Sequence, residues 1–176
     1  FKEILAHIES RLGGARSFRQ KLVRVPFDLD HPYWIEDKDF DLEYHVRHIA
    51  LPAPGDWRQL CIQVARLHAR PLDLSKPLWE FWVVEGLDNI EGLPKGCFAL
   101  VCKVHHAAID GMSGVEMSAA VHDLEAAPPK KAAADGWKPE ASPPVGELLF
   151  RSWVNSIRQP LRFVETVAKT VPGIAR

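Results

Sequence analysis

The sequence predicts a mixed α/β or α+β fold. Three observations point there. Apolar residues recur at helical spacing near the start, at Ile4, Leu5, Ile8 and Leu12. Two short apolar runs, Leu78–Val84 and Cys97–Val104, have the length and β-branched character of buried strands. Helical and extended patterns then alternate irregularly, which fits neither an all-α bundle nor an all-β sandwich. Apolar residues make up 47% of the 176, enough for a packed core, so global disorder is not expected.

The first helix spans residues 1–12, and Gly13-Gly14 ends it. Lys21 to Val25 reads as a strand closed by Pro26. Residues 28–40 read as a loop with a short strand at Tyr33–Ile35. From Leu42 to Ile49 apolar and polar residues alternate, the mark of a half-buried strand, with Glu43, His45 and Arg47 on the polar side. Pro52-Ala53-Pro54-Gly55 stops it. Asp56 is placed to cap a helix over residues 57–69. Gly86 to Gly96 reads as a hairpin-like link between the two buried strands. Met112 to Leu124 reads as a helix. Three segments follow: a domain over residues 1–125, a linker over 126–146 rich in Ala, Pro and Lys, and an amphipathic helical segment over 147–176 that Pro160 interrupts. That last segment carries interspersed arginines, a pattern suited to docking on another domain or lying on a lipid surface.

The net charge of -1 and the lack of a basic face with interleaved aromatics argue against nucleic acid as a partner. Cys61, Cys97 and Cys102 are an odd set without framework spacing, as expected in a reducing, cytoplasmic compartment. No run of 18 apolar residues exists, so no membrane span is predicted, though peripheral contact with a membrane or lipid inclusion remains open. The chain opens on Phe1-Lys2-Glu3 without Met, which predicts further residues upstream.

The segment with chemical content is Val101-Cys102-Lys103-Val104-His105-His106-Ala107-Ala108-Ile109-Asp110-Gly111. A strand delivers two histidines at its end, an aspartate follows, and Gly111 permits a tight turn into the next helix. Histidine titrates near neutrality and is a competent general base when a strand end holds it rigidly. Asp110 is placed to hold the loop by pairing with an arginine, with Arg24 the first candidate and Arg47 the second. Arg24 facing solvent is the competing reading. Two adjacent histidines are also compatible with a surface pair or a capped turn. Ligation of a metal by His105, His106 and Asp110 is awkward, because neighbouring strand residues point to opposite faces. No metal is expected. His7, His31, His45, His48, His68 and His122 lack partners at a recognisable metal spacing and are given no role.

His105-His106 followed by Asp110-Gly111 resembles the His-His-x-x-x-Asp-Gly signature of the CoA-dependent acyltransferase superfamily, which includes chloramphenicol acetyltransferases and peptide-synthetase condensation domains. The chain looks most like the bacterial wax ester synthase/diacylglycerol acyltransferases. Pro77-Leu78-Trp79-Glu80 resembles their Pro-Leu-Trp element. Asp39-Phe40-Asp41-Leu42-Glu43-Tyr44-His45-Val46-Arg47-His48 with Leu51-Pro52 resembles their aspartate-rich entry to a strand, and Ser113-Gly114-Val115 also fits. The resemblance covers about residues 1–125.

It implies a chloramphenicol-acetyltransferase-like domain, a mixed sheet flanked by helices, forming one half of a two-domain enzyme with the active site between the halves. His106 would be the general base, His105 supporting, Asp110 structural, and Gly111 would give room at the turn. The substrates implied are a fatty acyl-CoA and a long-chain alcohol or diacylglycerol, with direct transfer, no acyl-enzyme and no bound cofactor. Pro77, Leu78 and Trp79 are candidates for substrate binding, and Trp79, Phe81 and Trp82 for lining an acyl tunnel, against the plainer reading that they are core. A C-terminal domain beyond residue 176 is expected to complete the CoA channel, so this chain alone is not expected to turn over. Two alternatives remain: a condensation-type domain, and a non-catalytic interaction module.

Overall fold

A computed structural model describes residues 1–109, 111–123 and 137–170; the side chains of 111–114, 116 and 159–170 are outside that description. Helices α1 (Lys2–Arg11), α3 (Trp57–Ala69), α4 (Gly111–Val121) and α5 (Val145–Thr170) alternate with strands β1 (Gln20–Val23), β2 (Tyr33–Glu36), β3 (Val46–Ala50), β4 (Trp79–Glu85) and β5 (Ala99–Val104). A single helical turn, α2 (Leu42–His45), precedes β3.

The chain divides into two compact units, Phe1–Lys21 with Glu36–Glu140, and Leu22–Ile35 with Ala141–Arg176. Residues 22–35 group with the C-terminal helix in the second unit. β1 and β2 pair as a two-stranded sheet, and the chain changes unit within each of them.

The first unit is built on a mixed three-stranded sheet in the order β3-β4-β5. β3 runs parallel to β4, with Val46 opposite Phe81 and Ala50 opposite Glu85. β5 runs antiparallel, with Trp79 opposite Val104 and Val84 opposite Ala99. β4 is central and buried on both faces, which is why its run Trp79-Glu80-Phe81-Trp82-Val83-Val84 is apolar almost throughout. Alternation along the strand then divides its side chains. Trp79 and Phe81 pack with Ile8, Leu12, Phe18, Val46, Met117 and Val121, under α1 and α4. Trp82 and Val84 pack with Leu51, Leu60, Leu67, Leu87 and Ile90, on the α3 side. The result is the expected mixed sheet flanked by helices.

α3 begins on a full capping box. The Asp56 carboxylate accepts from the Gln59 amide at 2.8 Å, and the Gln59 side chain accepts from the Asp56 amide. α1 and α4 are joined by a nearly buried ion pair, Arg11 to Asp123 at 2.5 Å, and by the His7 ring against the Val121 carbonyl at 3.0 Å. Gly14 lets the backbone after α1 approach α4, because a Cβ there would lie 2.8 Å from that of Ala120.

In the second unit, α5 turns Leu148, Ser152 and Asn155 inward. Ser152 Oγ donates to the Leu29 carbonyl, and Asn155 Nδ2 donates to Asp30 at 2.7 Å and to the Tyr33 hydroxyl. Phe150, Trp153 and Ile157 stay exposed on the same helix. α5 is continuous through Pro160, where an interruption was predicted, and begins at Val145, inside the expected linker. Residues 126–136 of that linker lie outside the described residues.

Removing the cation of a mostly buried pair leaves its carboxylate desolvated and unpaired. Arg11→Leu should therefore cost about 2 kcal/mol and lower Tm by roughly 5 °C. A thermal melt followed by circular dichroism measures this, and an unchanged Tm would show that the Asp123 pair does not hold α1 to α4.

Candidate active site around the paired histidines

The site begins where β4 starts and the antiparallel β5 ends. The ladder continues one residue past β5, with the His105 amide donating to the Leu78 carbonyl at 2.9 Å. His105 then serves as the N-cap of a 3-10 turn over His106–Ala108: its ring Nδ1 accepts from the Ala107 amide at 3.1 Å. In a neutral His105 ring this places the proton on Nε2. His106 is the first residue of the turn and is exposed, and among the described residues its ring takes no hydrogen bond. The two histidines are thus differentiated. His105 is engaged through backbone and ring, whereas the His106 ring is free on a fixed backbone.

Asp110 lies outside the described residues, and Gly111 opens α4. The two candidate arginines make contacts of their own. Arg24 follows the last residue of β1, is exposed, and pairs with Asp28 at 2.8 Å, four residues on. The expectation that Arg24 is a buried strand residue is corrected, because the strand stops at Val23 and the chain turns at Pro26–Asp28. Arg47 donates to the Tyr44 carbonyl at 2.8 Å and lies over the rings of Tyr44 and Trp82.

Pro77, Leu78 and Trp79 are fully buried. They do not line an open surface in this structure; they fix the strand on which the histidines are registered. Trp79 Nε1 donates to the Phe18 carbonyl at 2.8 Å, and its ring meets Phe18 edge-on and Phe81 at 4.7 Å. Trp79, Phe81 and Trp82 are core residues here. Among the described residues no group of three or more His, Cys, Asp or Glu side chains is gathered as metal ligands.

The residue that sequence reasoning missed is His45. The alternation from Leu42 to Ile49 puts it on a polar face. Instead, the Asp41 side chain accepts from the Glu43 amide at 3.0 Å and starts a helical turn, which swings His45 inward to 1% exposure. Its Nδ1 lies 2.7 Å from the Trp79 carbonyl, and its ring is sandwiched between Trp79 at 4.6 Å and Phe40 at 5.2 Å. Burial pushes its pKa below the ordinary histidine range, partly offset by the bond to Trp79 and by nearby carboxylates. Close by in sequence, the fully buried Asp37 pairs with Lys21 at 2.6 Å. An aspartate four residues before a histidine, able to cap a turn, was the available signal for the burial of His45.

With that geometry in place, the relationships of the chain are informative. All of residues 1–176 match the wax ester synthase/diacylglycerol acyltransferase catalytic domain, and the chain belongs to that family. A probable diacylglycerol O-acyltransferase of Mycobacterium tuberculosis, tgs3, is 38% identical over 174 residues, covering 99% of this chain and 62% of that protein. A putative diacylglycerol O-acyltransferase of the same species, Rv3087, is 44% identical over 106 residues, 60% of this chain and 21% of that one. The solved wax ester synthase/diacylglycerol acyltransferase of Marinobacter aquaeolei VT8 is 39% identical, with a TM-score of 0.47 over 57% of this chain and 23% of that structure. The chain thus spans well under the full length of these relatives.

A buried histidine with a lowered pKa stays neutral in the native state while the unfolded state takes up a proton. Stability is therefore complete above the ordinary histidine pKa of about 6.5 and is lost as pH falls below it, until the native His45 protonates as well. The contribution should reach at most about 1.4 kcal/mol per pH unit. Urea unfolding between about pH 5 and 7 should show this slope in the parent protein and a shallower one in His45→Asn. Identical slopes would contradict a neutral, buried His45.

Proposed function

We propose that this chain is the histidine-bearing part of an O-acyltransferase that moves a fatty acyl group from acyl-CoA to the hydroxyl of a long-chain alcohol or diacylglycerol, with His106 as general base. Family membership supports the reaction class, and the names of the mycobacterial relatives support the diacylglycerol acceptor. The observation that singles out His106 is the division of labour at the strand end. His105 already gives its amide to Leu78 and its Nδ1 lone pair to Ala107, while the exposed His106 keeps a ring nitrogen for a substrate proton.

In this reading the acceptor hydroxyl gives its proton to the His106 ring as its oxygen attacks the thioester carbonyl. The tetrahedral intermediate collapses by breaking the carbon–sulfur bond. The leaving CoA thiolate takes the proton back from the imidazolium, so charge and protons balance in one turnover. No protein nucleophile and no bound cofactor is needed. His105 serves as the brace of the turn, and Asp110 and Gly111 as structural elements of it. Membership in this family favours the lipid acceptor over the carrier-bound amine of a condensation domain.

A long acyl-CoA needs a channel that covers most of its length. The apolar residues of β4 are committed to the core of this unit. The opposite wall is assigned to the part of the relatives' length that this chain does not span. The exposed Phe150, Trp153 and Ile157 of α5 suit docking against that part. Among the described residues no helix is long and apolar enough to cross a membrane.

His106→Ala in the full-length protein should lower kcat by roughly 10²–10⁴-fold, the size of a general-base contribution. His105→Ala should act chiefly by loosening the turn. Release of CoA thiol from palmitoyl-CoA in the presence of a long-chain alcohol or a diacylglycerol measures both. Near-normal turnover by His106→Ala would remove the assignment.

A further inference from the structure

We infer that His45 is a positioning residue for the transfer, holding the start of β4 so that the His105–His106 turn keeps its place; this rests on the reading of His106 as the base. β3 begins only at Val46, opposite Phe81, so the first two residues of β4 extend beyond their parallel neighbour. Carbonyls of successive strand residues point to opposite sides. The Leu78 carbonyl points toward β5 and accepts from the His105 amide. The Trp79 carbonyl therefore points to the β3 side, where no strand residue is available to donate. His45 Nδ1 fills that position at 2.7 Å and must carry the proton, because a carbonyl can only accept. Its Nε2 is buried and has no hydrogen-bond partner among the described residues.

One imidazole thus does two jobs on one residue. It completes the backbone bonding of Trp79 and stacks on the Trp79 ring, 4.6 Å between centroids and 22° from parallel. Phe40 closes the other face of the imidazole at 5.2 Å and 10°. Trp79 is anchored again at its far end through Nε1 to the Phe18 carbonyl. Trp79 is consequently clamped on the His45 side through the peptide it shares with Glu80, and the adjacent peptide, joined to it at the Trp79 Cα, presents the Leu78 carbonyl to His105 on the other side. Loss of the clamp lets that carbonyl tilt, and the amide that sets the origin of the histidine turn tilts with it. Misplacing a catalytic group by about 1 Å costs on the order of 10²-fold in rate.

Asparagine and glutamine separate the positioning role from simple packing. The Asn amide N–H falls near the Nδ1 position of histidine, whereas that of Gln falls near Nε2, and neither side chain stacks as an imidazole does. In the full-length protein, His45→Asn should keep kcat within about threefold of the parent, and His45→Gln should lose roughly 10–100-fold in kcat with little change in KM for palmitoyl-CoA. Hydrogen exchange at the His105 amide gives a readout independent of activity: it should stay slow in His45→Asn and speed up at least tenfold in His45→Gln. His45→Phe, which keeps the stacking and lacks the donor, should behave like His45→Gln in both measurements. Equal kcat and equal His105 protection in the Asn and Gln variants would overturn the inference, as would a loss that follows melting temperature alone. If His106→Ala stays active while His105 protection still distinguishes Asn from Gln, the base assignment fails and the structural clamp stands.

Discussion

The hydrogen bond from the His105 amide to the Leu78 carbonyl, 2.9 Å long, is the last rung of the β4–β5 ladder, and the role proposed for His106 hangs from it. Everything before it is rigid. β4 is buried on both faces, its first tryptophan is fixed through its indole Nε1 and through its main-chain carbonyl, and its register with β5 is set by six opposed residue pairs. Everything after it is a turn. The structure converts a stiff strand end into a point of known position, and the next residue, His106, is exposed there with no hydrogen bond to its ring among the described residues. A general base needs such a seat, because proton transfer demands hydrogen-bond reach and fixed direction from the start.

The buried tryptophan explains how two separated sequence motifs form one device. Pro77-Leu78-Trp79 and His105-His106 lie more than twenty residues apart, yet the first supplies the carbonyl and the second the amide of the same bond. Truncating Trp79 would empty a core position shared by Phe18, Phe81 and His45, a loss of about 3–5 kcal/mol for a fully buried aromatic. Binding of substrate by these three residues is not needed to account for their presence.

Much of the fold was legible from local pattern. The capping aspartate of α3, the helical spacing of α1, and the apolar runs of β4 and β5 each carry their own signal and formed as read. The failures share a cause. Alternation from Leu42 to Ile49 fits a strand, but Asp41 caps a turn and moves His45 from the polar side into the core. Arg24 looked like a strand residue because its neighbours are apolar, but the strand had already ended. The grouping of residues 22–35 with α5 depends on bonds such as Asn155 to Asp30, across more than a hundred residues, which no local window contains. At the site, the two histidines were visible as a motif. The resemblance gave them different roles, but the hydrogen bonding that distinguishes them, with the Ala107 amide on the His105 ring, was not readable from the local sequence.

General-base catalysis by His106 and covalent catalysis by a protein nucleophile differ in what happens before the acceptor arrives. The decisive measurement is rapid-mixing detection of CoA thiol when the full-length protein meets palmitoyl-CoA without alcohol or diacylglycerol, followed by the same experiment with the acceptor present. Direct transfer with His106 as base predicts no stoichiometric burst in the first case and steady release in the second. A burst of one CoA per site without acceptor would mean an acyl-enzyme, and would contradict the role given to His106.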